Sequence, residues 1–350
     1  MESYCKLEEY QVHDLIIVYL VSLIPSVMGS FSVLVVSLVK WRHLRQQVTL
    51  LVQIALADLL AALTLIFTSV LNKVETSNRG IICIYSLPLS LTFYFISFLL
   101  MVVYAWKSKE AIQGWRARPI EDEVGQSQHY RTIFVMPVYG LAWLIPAAIY
   151  LAYVFSIKAI PWTSISDKSV GFFVYDNSTS CTSCILFLHC WEDSYPWPEK
   201  FHDIFINIFL FVVVTTVLLS CSVIYCNVSR WYQRHQHQYL FPVEGDGRSR
   251  RTLRSSISAA RNMVMVILFC WTPALVLIVV SNIVIWANVK HFNLFGFYVI
   301  QAASVSLQGF LNSMVYAWRR PNFREAVLGE NTPLVAQRLA FFDESLTNSC

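Results

Sequence analysis

Seven long apolar segments separated by polar ones dominate the pattern of this chain. A helix needs about 20 apolar residues to cross the hydrocarbon core of a bilayer. Seven windows are long enough: Leu15–Val39, Val48–Leu71, Ile81–Trp106, Ile133–Phe155, Ile204–Tyr225, Met263–Trp286 and Phe292–Trp318. None of the seven windows alternates between apolar and polar residues as the strands of a membrane β-barrel do. Lipid cannot form hydrogen bonds with exposed backbone N–H and C=O groups, so helices are the remaining structure. The pattern predicts an all-α bundle of seven transmembrane helices over residues 15–318, between a short N-terminal segment (1–14) and a C-terminal segment (319–350).

Composition supports lipid as the solvent for this bundle. Hydrophobic residues make up 56% of the 350 residues and charged residues 14%, whereas a soluble domain carries about 25% charged residues. The net charge of +4 is small, so a nucleic-acid partner is not expected. The first 13 residues are polar and acidic, which predicts that the first apolar segment is its own uncleaved signal.

Loop charge predicts the direction of the chain. Nineteen of the 26 lysines and arginines lie in the first, third and fifth predicted loops and the C-terminal segment. The positive-inside rule places that side in the cytosol, so the N-terminus is predicted outside and the C-terminus inside. The sequon at Asn177 then lies outside, where it can be glycosylated. We expect a multi-pass protein of the plasma membrane, with a secretory-pathway membrane as the alternative.

Asp58 is the one carboxylate deep in a predicted span. A charge at that depth costs several kcal/mol, so intramembrane carboxylates mark functional sites by default. Two interpretations stay open at this point. Asp58 is either a structural acceptor for neighbouring amides or a cation or proton site linked to a conformational switch.

The sixth and seventh predicted segments contain a proline and polar residues that are unusual inside a membrane helix. Pro273 removes a backbone hydrogen bond and is expected to kink the sixth helix beside Trp271, whose indole can act as a pivot. In the seventh segment, Gln308, Asn312 and Tyr316 recur every four residues and form a polar stripe that must face other helices. Residues 319–328 suit a short amphipathic eighth helix on the inner leaflet.

These residues together resemble the G-protein-coupled receptor superfamily. The segment 56–60 resembles the second-helix signature of rhodopsin-like receptors, and Cys83 stands where the third helix carries its disulfide cysteine. The segment 269–273 resembles the sixth-helix toggle motif, and 312–316 resembles the seventh-helix Asn-Pro-x-x-Tyr motif. Order and spacing agree over all seven segments. The resemblance therefore implies a divergent receptor-like bundle.

The resemblance also implies roles for particular residues. It implies a sodium-like pocket at Asp58, Ser97 and Asn312 below Trp271, with Ser30 and Gln308 completing its polar network. Because burial disfavours a charged carboxylate, a protonated Asp58 competes with sodium. Trp271, Pro273 and Tyr316 would form the switch. Cys83 would pair with one cysteine of the second outer loop, and the candidates are Cys181, Cys184 and Cys190.

Several positions depart from the receptor pattern. Lys107-Ser108-Lys109 stands where rhodopsin-like receptors carry the arginine that docks the G-protein, so conventional coupling is in doubt. Ser90 and Ser306 replace the acid of amine receptors and the lysine of opsins, which argues against amine ligands and retinal. Many aromatic residues lie in the outer halves of the helices. They suit an apolar or lipid-like ligand but suit plain helix packing equally well, and packing is the favoured interpretation.

The leading function is that of a receptor in which an extracellular ligand, still unknown, biases movement of the sixth helix about Pro273. Its partners would be membrane lipid and a heterotrimeric G-protein or another cytosolic effector. The alternatives are a seven-helix scaffold without coupling and, less favoured, a transporter or channel. No nucleophile–base pair, metal-ligand cluster or phosphate loop is visible in the sequence, so we expect neither an enzyme nor any cofactor other than a sodium ion.

Overall fold

The computed structural model describes residues 9–39, 48–73, 79–114, 124–159, 197–236, 247–287 and 294–315. These residues form eight helical elements. They are α1 (Glu9–Val39), α2 (Val48–Lys73), α3 (Arg79–Gly114), α4 (Val124–Ala159), α5 (Trp197–Gln236), α6 (Gly247–Trp286), α7 (Phe295–Ser306) and α8 (Gln308–Ser313). Within this part of the chain the fold is all-α, as the apolar pattern predicts.

The first six helices are long and apolar enough to cross a membrane. Their apolar stretches fall within a few residues of the first six predicted windows. For example, the stretch Thr49–Leu71 in α2 matches the predicted Val48–Leu71. Several of these helices extend beyond the membrane-length segment, as α6 does over the basic run 248–254. The chain is therefore a multi-pass membrane protein.

The seventh predicted segment is divided in two. Helix α7 ends at Ser306, Leu307 forms a turn, and α8 begins at Gln308. Neither piece alone is long enough to cross a bilayer, so the predicted seventh crossing depends on the two pieces acting together. The Leu307 N–H donates to the Ala303 carbonyl, and the Leu307 carbonyl accepts from the Leu311 N–H. These bonds keep α8 close to the direction of α7 without a continuous helix.

Contacts between helices form a closed series from α1 through α2, α3, α5, α6 and α7 back to α1, and α4 packs against α3. Helix α1 packs against α2, α7 and α8, and α6 packs against α5, α7 and α8. Helix α3 contacts α2, α4, α5 and α6 and is the most buried of the six long apolar helices. The main apolar core lies between these helices. Many apolar side chains point outward, including Met28 on α1 and Phe155 on α4, as a lipid-facing surface requires.

Several predicted features lie outside the described residues. They are the sequon at Asn177, the cysteines Cys181, Cys184 and Cys190, the residue Tyr316, and the amphipathic eighth helix after residue 318. Cys83 is buried in the first turns of α3 and is disulfide-bonded. The choice of its partner among the three outer-loop cysteines stays a prediction.

Candidate functional site

Asp58 lies at the centre of the bundle and is 2% exposed. Its carboxylate accepts three hydrogen bonds from two other helices. Ser97 Oγ on α3 donates to Oδ1 over 2.7 Å, and Gln308 Nε2 on α8 donates to the same oxygen over 3.1 Å. Asn312 Nδ2, one turn further along α8, donates to Oδ2 over 2.7 Å. Three neutral donors thus replace the water that a charged carboxylate would otherwise need.

Trp271 is tied to the same carboxylate through one amide. Its indole Nε1 donates to Gln308 Oε1 over 2.5 Å, while Gln308 Nε2 reaches Asp58. The indole is fully buried and is held edge-to-face by Tyr94 and Phe98, with ring centroids at 5.3 and 5.0 Å. A continuous chain of hydrogen bonds therefore connects α2, α3, α6 and α8. We call Asp58, Ser97, Trp271, Gln308 and Asn312 the polar cluster.

The break at Leu307 positions Gln308 for this chain of bonds. Gln308 is the first residue of α8 and Asn312 lies four residues later, so both side chains lie on one face of the helix. That face is turned toward α2. All five members of the polar cluster were singled out from the sequence, and the structure brings them together.

Ser30 was expected to complete the polar network around Asp58, but the contact between α1 and α8 uses Ser26 instead. Ser30 lies beside the polar cluster but its hydroxyl has no hydrogen-bond partner among the described residues. Ser26, one turn earlier, instead accepts a bond of 3.1 Å from the Phe310 N–H. The first N–H groups of a helix have no partner within the helix, and Ser26 thus caps α8 from the neighbouring helix. The i, i+4 spacing of the two serines is the signal that could have revealed Ser26.

Two glycines allow α1 and α8 to approach closely. A Cβ added at Gly309 would lie 2.6 Å from Ser26 Oγ and 2.8 Å from Ser30 Oγ. A Cβ at Gly29 would lie 3.2 Å from the Phe310 Cα. Small residues on the facing sides of two helices are common where membrane helices pack closely. They keep the polar cluster beside α1.

A second polar contact, which the sequence analysis missed, lies at the Cys83 end of α3. Pro88 has no N–H, so the Ile84 carbonyl lacks its usual partner within the helix. The Tyr153 hydroxyl on α4 donates to this carbonyl over 2.9 Å and lies 2.6 Å from His202 Nδ1 on α5. Phe205 packs against the Tyr153 ring at 4.5 Å. One phenol thus joins α3, α4 and α5.

Removal of this hydroxyl is a direct test of the contact. We expect Tyr153→Phe to destabilise the purified protein by about 1 to 3 kcal/mol, because the Ile84 carbonyl and the His202 ring both lose a buried partner. The matched control is Tyr150→Phe, whose hydroxyl makes a weaker bond of 3.3 Å to the Tyr85 carbonyl. Thermal unfolding in detergent measures both variants. Equal melting temperatures for the two would contradict the special role of Tyr153.

At the opposite end of α3, Lys107 stands where the receptor pattern has its G-protein-docking arginine. Its ammonium group donates to the Tyr139 hydroxyl on α4 and lies 4.5 Å from the centroid of the same ring. A cation over an aromatic face is an attractive arrangement. The Lys107 side chain therefore packs against α4. The side chains of Ser108 and Lys109 lie outside the described residues.

The described residues contain no group of three or more His, Cys, Asp or Glu side chains that could hold a metal ion. At the polar cluster the oxygen atoms available to a hard cation belong to Asp58, Asn312 and Ser97. Oxygen ligands of this kind suit sodium, although three donors already occupy the carboxylate. The residues present fit a weakly bound cation.

A family model described as transmembrane protein 116 matches residues 12–335. This range includes all members of the polar cluster and the Tyr153 and Lys107 contacts. No curated protein matches the chain.

Proposed function

The chain belongs to the transmembrane protein 116 family, and we propose that it is a seven-crossing, receptor-like signalling protein of the plasma membrane. In this proposal an extracellular ligand, still unknown, shifts α6 about Pro273 and alters the cytosolic face. The protein acts without catalysis, and its partners are lipid and a G-protein or another cytosolic effector. The observation that carries the proposal is the hydrogen-bonded chain from Asp58 through Gln308 to Trp271.

The proposed topology has the N-terminus outside and α7 with α8 as one interrupted seventh crossing. Loop charge supports the direction. The ring of contacts supports the seventh crossing, since α7 and α8 fill the space between α1 and α6. In this arrangement Asn177 is a glycosylation site, and Cys83 is bonded to a cysteine of the outer loop.

The polar cluster can couple a movement of α6 to the other helices of the bundle. Trp271 lies two residues before Pro273, where α6 lacks one backbone hydrogen bond. Any rotation of the indole changes its bond to Gln308 and thereby the donors around Asp58. A ligand can move this equilibrium only by binding one arrangement more tightly than the other. Tyr94 and Phe98, which hold the indole in place, are the residues through which a ligand would act.

A scaffold without G-protein coupling is the second candidate function. The observation that favours it is the Lys107–Tyr139 contact. It holds the Lys107 ammonium group against Tyr139 on α4, which makes this cation less available to an effector. In a scaffold the polar cluster would serve stability alone.

Constitutive recruitment of mini-G proteins separates these two functions. We expect a basal signal in cells from at least one of a panel of mini-G proteins, and Trp271→Phe should change it several-fold because it keeps an aromatic ring but removes the indole N–H that donates to Gln308. Phe269→Ala, on the lipid-facing side of the same helix, is the matched control. A panel that stays silent for the wild type, Trp271→Ala and Asp58→Asn would support the scaffold.

Sodium dependence tests the cation at Asp58. We expect the melting temperature of the wild type to rise with sodium concentration at constant ionic strength, because binding to the folded state stabilises it. Asp58→Asn should remove this rise. Choline chloride keeps the ionic strength constant. If neither protein responds to sodium, Asp58 is not an ion site.

A further inference from the structure

Helix α3 carries a stripe of half-buried apolar side chains, although it is the most buried of the six long apolar helices. The stripe consists of Phe95, Leu99 and Val102, and the exposed Trp106 continues it. Its members follow one another at intervals of three or four residues, so they share one face of the helix. Leu100, on another face, is fully buried. One face of the central helix is therefore left partly open.

This face is open because α4 and α5 pack against α3 rather than against each other. Phe95 at one end of the stripe packs edge-to-face on Phe209 of α5, and Lys107 beyond the other end contacts Tyr139 of α4. The stripe thus lies between α4 and α5. The ring contacts that the structure describes between these two helices all involve Tyr153, nearer the opposite end of α3. From there toward Lys107 the two helices leave a groove, which we call the α3 groove and whose floor is the stripe.

The α3 groove has the length of one leaflet of the bilayer. From Phe95 to Trp106 the helix rises about 16 Å, at 1.5 Å per residue. Half of the hydrocarbon core is about 15 Å thick. Trp106 is exposed, and tryptophans of this kind lie at the level of the lipid headgroups. A single acyl chain therefore fits along the stripe, from the headgroup level to the middle of the membrane.

Lys107 supplies a positive charge at the headgroup end of the α3 groove. The described partners of its ammonium group are the hydroxyl and the ring of Tyr139. Neither carries a negative charge, so no described carboxylate neutralises the cation. An ammonium group has three N–H donors, and two remain after the bond to Tyr139. A headgroup with a net negative charge is the electrostatic complement of this site, whereas the choline of a zwitterionic headgroup adds a second cation.

We propose that the α3 groove binds an anionic phospholipid of the inner leaflet, with one acyl chain along Phe95, Leu99 and Val102 and its headgroup on the Lys107 ammonium. The acyl chain fills the space that α4 and α5 leave and holds both helices against α3. The contact with Tyr139 keeps the ammonium group at the headgroup level. The choice of leaflet rests on the topology of the proposed function, whereas the groove and its cation do not.

Photolabelling tests the site, because the position of the label reports where the acyl chain lies. The protein is placed in phosphatidylcholine nanodiscs with a trace of phosphatidylserine or phosphatidylcholine that carries a diazirine in one acyl chain. We expect the phosphatidylserine probe to label residues 95–106 about five-fold more than the phosphatidylcholine probe, the effect of one basic residue beside an anionic headgroup. Equal labelling by the two probes would overturn the proposal. Labelling that cholesterol displaces and unlabelled phosphatidylserine does not would assign the groove to a sterol instead.

Two pairs of variants separate the headgroup contact from the acyl-chain contact. Lys107→Gln should remove the preference for phosphatidylserine, whereas Lys158→Gln, which replaces an exposed lysine at the other end of α4, should keep it. Val102→Phe should fill the groove and lower the labelling by both probes, whereas Leu144→Phe, on the exposed face of α4, should not. A preference that persists in Lys107→Gln, or labelling that Val102→Phe leaves unchanged, would contradict the site. Labelling does not depend on signalling, so a silent mini-G panel leaves these results interpretable.

Discussion

Replacing Asp58 by leucine is expected to destabilise the protein more than any other single substitution within the polar cluster. The leucine branches at Cγ as the aspartate does, but it is larger and accepts no hydrogen bond. Ser97 Oγ and Asn312 Nδ2 would each lose the acceptor that they have now, and Gln308 Nε2 would keep only its long bond of 3.4 Å to Ser97 Oγ. A buried donor without a partner costs about 1 to 3 kcal/mol. Two such losses and one weakened donor approach the lower end of the stability of a typical domain, about 5 to 15 kcal/mol.

The measurement is the melting temperature and the monodisperse fraction of detergent-purified protein. We expect Asp58→Leu to be largely aggregated and Asp58→Asn to lie between it and the wild type, because the asparagine keeps one carbonyl oxygen. Leu59→Ala, at the neighbouring half-buried position of α2, controls for the general effect of a substitution in this turn of the helix. A melting temperature of Asp58→Leu equal to that of the wild type would show that the three bonds contribute nothing net.

Hydropathy predicted most of the fold because a bilayer imposes one length on every crossing. The windows Val48–Leu71 and Ile81–Trp106 correspond to α2 and α3 for this reason. The break at Leu307 was not predictable in the same way. Neither proline nor glycine stands at that position, and the apolar pattern continues through it. The break coincides with tertiary contacts, since Gly309 packs on α1 and Ser26 caps α8.

The polar cluster was predictable because polar side chains in a lipid environment must find partners with one another. Asp58, Gln308 and Asn312 are rare groups in apolar segments and stand out individually. Tyr153, His202 and Tyr139 do not, because aromatic residues are common in these helices and near their ends. Their partners are a backbone carbonyl and side chains on other helices. Such pairs depend on which helices are neighbours, which periodicity within one helix does not specify.

Replacing Gly309 by alanine is expected to destabilise the protein although it adds only one methyl group. In most helical positions this change is stabilising by about 1 kcal/mol, since alanine loses less conformational entropy. At Gly309 the new Cβ would lie 2.6 Å from Ser26 Oγ and 2.8 Å from Ser30 Oγ. Moving Ser26 away breaks its bond to the Phe310 N–H. Overpacking of this kind costs about 1 to 3 kcal/mol, and loss of the cap adds about 1 kcal/mol.

Two glycines serve as matched controls for this prediction. Gly140 on α4 and Gly296 on α7 are exposed, and a Cβ at either would meet nothing within 4 Å. Gly140→Ala and Gly296→Ala should therefore leave the melting temperature unchanged or raise it slightly. A lower melting temperature for all three variants would point to a general effect of alanine, in contradiction of the close α1–α8 contact.

A second substitution in α1 identifies the clash itself. The Ser30 hydroxyl has no hydrogen-bond partner among the described residues, so Ser30→Ala should cost little by itself. In the double variant Ser30→Ala/Gly309→Ala one of the two closest oxygens is gone, and we expect part of the lost stability to return. The coupling between the two sites, measured by a double-mutant cycle of unfolding free energies, should be at least about 0.5 kcal/mol. Strict additivity would mean that Gly309→Ala acts through Ser26 or the α8 backbone alone, and that α1 can shift away from Ser30 without cost.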